Sequence, residues 1–108
     1  MQAIFTKLQI GSVFVVNPTL KPKAKKPAEE EFTDVKILFY YPNTIDIHER
    51  RKQCGISEGI ISFFQPFTDE SDPISCISTL QFTHVVKEVE PNIWLNFVIM
   101  HPEEVYGQ

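Results

Sequence analysis

"KILFYYPNTIDIHERRKQCGISEGI", Lys36 to Ile60, joins an apolar strand, a Pro-Asn turn and a helix that carries Gly55 and Gly59 on nearly the same side. A glycine inside a helix costs about 1 kcal/mol relative to alanine. Two of them, four positions apart, therefore ask for a reason. One is tight packing of the helix on its own sheet. The other is close approach of a second helix from a partner. The neighbouring Ile56, Ile60 and Phe63 would supply apolar area to either arrangement.

The strand in this stretch runs from Val35 to Tyr41. Pro42 has no amide hydrogen to continue a ladder. The helix is expected to begin near Asp46. Asp46 and Glu49 have the spacing of a capping box, and Ile45 precedes them as a staple residue. Ile56, Ile60, Phe63, Phe64 and Phe67 then follow one helical stripe. The start, "HERRKQ", is charged and reads as solvated. Pro66 is expected to stop the helix at about Phe64 or Gln65.

Upstream, Ile10 to Asn17 is nearly continuous in apolar residues, which predicts a strand covered on both faces. Residues 18–34 hold three prolines, four lysines and three consecutive glutamates without apolar periodicity. They read as a mobile loop between two strands. Lys21, Lys23, Lys25 and Lys26 read as solvated rather than as an anchor on an anionic membrane, because Glu29, Glu30 and Glu31 follow directly. Downstream, "TDESDP" is an acidic loop. Ile77 to Val89 reads as one strand, bent or bulged. Glu90-Pro91-Asn92 is a turn signal, and Ile93 to Met100 is the clearest strand, completing a hairpin.

The residues thus predict the order strand, strand, helix, strand, strand. One helix shields one face of an antiparallel sheet, yet the strands are apolar on both. A further segment or a partner chain must cover the second face.

The chain has 108 residues, enough for one small domain, and 43% of them are hydrophobic, including nine Phe. A formal net charge of −4 argues against nucleic acid as a partner. No run of about 18 apolar residues would span a bilayer, and the first residues lack a signal-peptide core, so a cytosolic chain is expected. Cys54 and Cys76 stand outside any C-x-x-C pattern and read as reduced thiols. His48, His84 and His101 are far apart, and no His or Cys pair has zinc-ligand spacing. His48 is expected on the surface, and His84 packed or facing an edge. Arg50, Arg51 and Lys52 would favour a thiolate at Cys54, but no base is placed to serve it. The carboxylate clusters read as solubilising charge, and no phosphate-cradling glycine motif occurs. Neither a metal nor a cofactor is expected.

"KILFYYPN", "HERRKQCGISEGIISFFQPF" and "EPNIWLNFVIMHP" together resemble the first longin domain of the calcium–caffeine–zinc sensitivity family. The resemblance covers roughly Val13 to Pro102. Its helix core, a basic residue, glycine and glutamate at three-residue spacing, falls on Lys52, Gly55 and Glu58. The Pro-containing turn before a Trp-bearing strand falls on Glu90, Pro91, Asn92 and Trp94. The resemblance implies an α+β, profilin-like longin fold: a five-stranded antiparallel sheet between one helix and two later C-terminal helices. The chain is then expected to be the N-terminal part of one longin domain, with those later helices beyond residue 108.

The resemblance also implies a role without covalent chemistry. The expected protein is a subunit of a heterodimeric guanine-nucleotide exchange factor, paired with the monensin-sensitivity longin protein and acting on a Rab GTPase. It would work in vesicle trafficking and autophagy, peripherally on late-endosomal, vacuolar or lysosomal membranes. Under that reading Gly55, Gly59, Phe63 and Phe82 are the expected contacts with the longin partner. Tyr41, Pro42, Asn43, His48, Glu49 and Lys52 are the expected contacts with the GTPase. The rival is a non-catalytic longin or profilin-like adaptor of a trafficking complex. A small enzyme would need a clustered polar pocket.

Overall fold

The structure is a computed structural model and describes residues 9–64 and 74–101. Its elements are β1 (Gln9–Val16), α1 (Glu29–Asp34), β2 (Ile37–Tyr41), α2 (Ile47–Phe64), β3 (Ile74–Ser78), β4 (Phe82–Glu90) and β5 (Ile93–Met100). The five strands form one sheet in the order β2-β1-β5-β4-β3, and every adjacent pair is antiparallel. The longin architecture is therefore present, with two helices.

Four strands were expected from the residues alone and five are found. The segment read as one strand from Ile77 is split into β3 and β4 by a turn with no Gly, Pro or Asn. Thr79 makes that turn. Its hydroxyl accepts the amides of Gln81 and Phe82 at 3.2 and 3.1 Å, and its own amide bonds the Phe82 carbonyl at 2.8 Å. Such a hydroxyl-built turn replaces the usual turn residues. The Glu90-Pro91-Asn92 turn joins β4 to β5 as expected; Asn92 takes the left-handed conformation (φ 67°), and its amide donates to Glu88 Oε2 at 3.0 Å.

The stretch 18–34 is not wholly irregular, since α1 occupies its end. α1 has no buried residue. It is held from outside instead, by a two-pronged ion pair: Arg51 Nε and Nη2 of α2 donate to the two Asp34 oxygens, each at 2.8 Å. Lys36, just before β2, donates to both Glu58 oxygens at 3.0 and 3.2 Å. Glu58, part of the helix core in the family pattern, thus ties α2 to the entry of β2.

α2 starts where Asp46 predicts. Asp46 Oδ2 accepts the His48 amide at 2.9 Å, an N-cap bond. The reciprocal half of the box is absent: Glu49 accepts from the Gln53 side chain at 2.8 Å instead. The buried residues of α2 are Gln53, Cys54, Ser57, Ile60 and Ile61. This corrects the expected stripe. Ile60 belongs to it, but Ile56 and Phe64 are only half-buried and Phe63 is 63% exposed. Phe67, Pro66 and the acidic loop lie outside the described residues.

The core lies between α2 and one face of the sheet. Phe14, Val16, Tyr40, Cys54 and Val98 form one buried cluster; Ile60, Ile61 and Val86 form a second, and Trp94 packs against both. Phe14 and Tyr40 stack with ring centroids 4.9 Å apart. Between these clusters the core is polar. His84 and Asn96 are fully buried, with His84 Nε2 2.9 Å from Asn96 Oδ1. The Asn96 amide nitrogen donates to the Trp94 carbonyl at 3.2 Å. Its oxygen therefore faces the imidazole, and His84 Nε2 carries the proton.

Candidate functional site

The strand registers place Val13, Val15, Phe39, Tyr41, Val85, Leu95, Phe97 and Ile99 together on the sheet face opposite α2. None of these side chains is buried; Phe39 is 55% and Tyr41 60% exposed. On the α2 face, Phe14, Val16, Val86 and Val98 are at most 4% exposed. The expected excess of apolar surface over cover is thus found among the described residues. A contiguous exposed apolar face of this kind is characteristic of contact surfaces.

α2 supplies a second surface. Its buried positions leave the opposite side facing outward. At about 100° per residue, positions 48, 52, 55, 59 and 63 fall within about 80° of one another. His48, Lys52, Gly55, Gly59 and Phe63 are all exposed. Among the described residues, a Cβ built on Gly55 or on Gly59 meets nothing within 4 Å. Packing on the chain's own sheet is therefore ruled out as the reason for these glycines. They leave a side-chain-free track along the outer side of α2, ending at Phe63, whose ring meets Phe64 edge to face at 5.0 Å.

This track runs into the β2–α2 corner at its start. Tyr41 is exposed at the end of β2; Asn43 is exposed and Pro42 half-buried in the turn. Of the expected GTPase contacts, Pro42, Asn43, His48, Glu49 and Lys52 follow one another through the turn and the start of α2, with the Glu49 carboxylate occupied by Gln53, whereas Tyr41 lies on the sheet face opposite α2. Gly55, Gly59 and Phe63 continue it along the helix. Phe82 is not brought to this track. It lies half-buried against the Phe14 cluster, on the sheet under α2.

Arg50 is a residue of the corner that sequence reasoning passed over as one more solvated charge. Its Nε donates to the Ile45 carbonyl at 2.9 Å and its Nη2 to the Asn43 carbonyl. The guanidinium also lies over the Tyr40 ring, 5.4 Å from its centroid, within cation–π range. No local spacing announces this, because the carbonyls it binds belong to an irregular turn.

The reactive groups are turned inward or kept apart. Burial, reinforced by Glu58, pushes the Cys54 thiol up to about 12. This reverses the expectation that Arg50, Arg51 and Lys52 would favour a thiolate there: the sulfur is fully buried, where the charged form is disfavoured. Burial likewise lowers the His84 pKa, partly offset by the Asn96 hydrogen bond. An open depression of about 360 Å3, lined by Pro22, Lys23, Glu31, Asp34 and Val35, gathers no nucleophile and base, and its Asp34 is committed to Arg51. Among the described residues no three His, Cys, Asp or Glu side chains group as a metal site, and no helix is long and apolar enough to cross a membrane. What remains accessible is suited to docking.

Comparison with known proteins agrees with this geometry. Residues 11–107 match the model of the first longin domain of INTU, CCZ1 and HPS4. The vacuolar fusion protein CCZ1 homolog of Tetraodon nigroviridis is 32% identical over 91 residues, covering 84% of this chain and 18% of that protein. CCZ1 homolog A of Arabidopsis thaliana is 36% identical over 69 residues, covering 64% and 13%. The homolog of Dictyostelium discoideum is 34% identical over 73 residues, covering 68% and 16%. The chain thus spans less than a fifth of the length of these relatives.

Proposed function

The chain belongs to the family of first longin domains of INTU, CCZ1 and HPS4, and from that premise we propose that it serves as a docking subunit in vacuolar membrane trafficking. In this reading it pairs with the monensin-sensitivity longin protein to form a guanine-nucleotide exchange factor for a Rab GTPase, and it reaches late-endosomal or vacuolar membranes peripherally, through the complex. The names of the vacuolar fusion relatives support the trafficking role. The observation that carries the docking mechanism is the outward position of Gly55 and Gly59, with open space where their side chains would be.

Exchange by such a subunit needs no bond-making chemistry. The factor binds the nucleotide-free GTPase more tightly than the loaded one, and by linkage that difference weakens nucleotide affinity. The glycine track lets a partner backbone approach α2 closely, and Phe63 adds an aromatic anchor of the kind that interface cores favour. The corner from Pro42 to Lys52 then stands at the rim of the paired surface, available to hold GTPase switch residues.

The test is co-purification with the longin partner followed by a nucleotide-release assay on the Rab. Gly59→Leu is expected to abolish co-purification while the chain stays folded, because no described residue occupies that space. Unchanged binding by this variant overturns the close-approach reading. Pairing without accelerated nucleotide release replaces the exchange factor with the adaptor.

A further inference from the structure

The turn from Pro42 to Asp46 connects β2 to α2 and carries Pro42 and Asn43 of the proposed GTPase corner. Five residues of irregular chain would ordinarily sample several shapes. Its own backbone supplies one internal bond, from the Ile45 amide to the Pro42 carbonyl, and that bond is long at 3.3 Å. Ile45 packs against the Phe14 cluster and Asp46 caps α2 through the His48 amide, and the tie on the turn's carbonyls comes from Arg50. Its guanidinium bonds the carbonyls of Asn43 and Ile45 at once. The same group rests on the Tyr40 ring. Tyr40 is itself immovable: it is 8% exposed, stacked on Phe14, and its hydroxyl lies 3.3 Å from Ser12 Oγ. The turn's carbonyls are thereby referred to the core of the sheet through Arg50, beside the packing of Ile45 on the same cluster.

We infer that Arg50 is the positioning residue of the docking corner: it presets the backbone from Asn43 to Ile45 so that Asn43 and His48 are presented in a fixed arrangement. A planar fork with several fixed donors is required to bond two carbonyls while lying flat on a ring. A lysine ammonium carries the same charge but not that geometry. The effect on docking follows from preorganisation, since a corner that must be ordered upon binding pays for that order in affinity. The docking half of the inference rests on the proposed function. The positioning half does not.

Arg50→Lys separates the two. The charge and the helix propensity at the position are retained, so global stability is expected to stay close to the original. Hydrogen exchange on the chain alone is read at the Ile45 amide, with Phe14 and Val98 as core references. Losing two charge-assisted bonds is expected to speed exchange at Ile45 by roughly tenfold or more, with the core amides unchanged. Uniform acceleration across core and corner, or none at Ile45, overturns the positioning role. In the assembled complex, the concentration needed for half-maximal nucleotide release is expected to rise about tenfold, while the maximal rate and co-purification with the longin partner are kept. A corner loosened at Ile45 with an unaltered half-maximal concentration overturns the docking role alone. Absence of release by the unsubstituted complex instead refutes the exchange function and leaves the hydrogen-exchange result standing.

Discussion

Replacing both helix glycines with alanine sets stability against docking, and the structure predicts opposite signs. Neither Gly55 nor Gly59 has a heavy atom within 4 Å of a built Cβ, and both lie inside α2 on its exposed side. A methyl group therefore meets no steric cost among the described residues. It narrows the unfolded ensemble and improves helix propensity by about 0.4–1 kcal/mol per site. Neither methyl meets a described neighbour, so the two gains add and the double variant gains about 1–2 kcal/mol. For a domain near 100 residues each kcal/mol moves Tm by about 4–8 °C, which puts the expected rise between about 4 and 15 °C. In the docked state the same two methyls stand where the partner approaches closest, and overpacking there costs about 1–3 kcal/mol per site. Affinity for the longin partner is then expected to fall at least tenfold, since each 1.4 kcal/mol is about a factor of ten. The assay is a thermal melt of the chain alone beside titration calorimetry with the partner. A lower Tm would show that the glycines face something in the chain's own fold. A higher Tm with undiminished affinity would remove the track from the interface.

The buried imidazole makes stability depend on pH. Burial holds the folded-state pKa of His84 below the ordinary value of 6.5, so the unfolded chain takes up a proton before the folded one does. Stability is complete above about pH 6.5 and falls as pH drops from there toward the lowered folded value. Urea unfolding at stepped pH should show this decline, and His84→Gln, which keeps a donor for Asn96 without titrating near neutrality, should flatten it. The cysteines are expected to differ sharply in labelling by iodoacetamide. Cys76 is exposed and should react in the native state, whereas Cys54, buried and pushed up to about 12, should react only upon unfolding. Mass spectrometry of the labelled peptides decides between this and equal modification of both.

Several features of the fold were legible residue by residue. Pro42 closed β2, Asp46 opened α2, and the apolar runs of β1, β2 and β5 announced a sheet greasy on both sides. These are local statements, enforced by a missing amide hydrogen, a capping carboxylate and the two-residue period of a strand. The excess of apolar surface followed from counting faces. The three motifs in order carried the longin family, because family identity is a pattern of residue types along the chain. α1 was invisible for the opposite reason: "EEEFTD" has no apolar period, and its tie is the distant Arg51.

The rotation of α2 about its axis was settled only by packing. Ile56, Ile60 and Phe63 look like the natural inner stripe, yet Gln53, Cys54 and Ser57 are buried and Phe63 is not. Helical periodicity fixes which residues share a side; it does not say which side meets the sheet. That choice belongs to the sheet, whose α2 face places the fully buried His84 and Asn96 between its two apolar clusters. The same rotation sends Gly55 and Gly59 outward. A spacing of four residues could be read along the chain, but whether those glycines served the fold or a partner depended on groups distant in sequence and adjacent only in space.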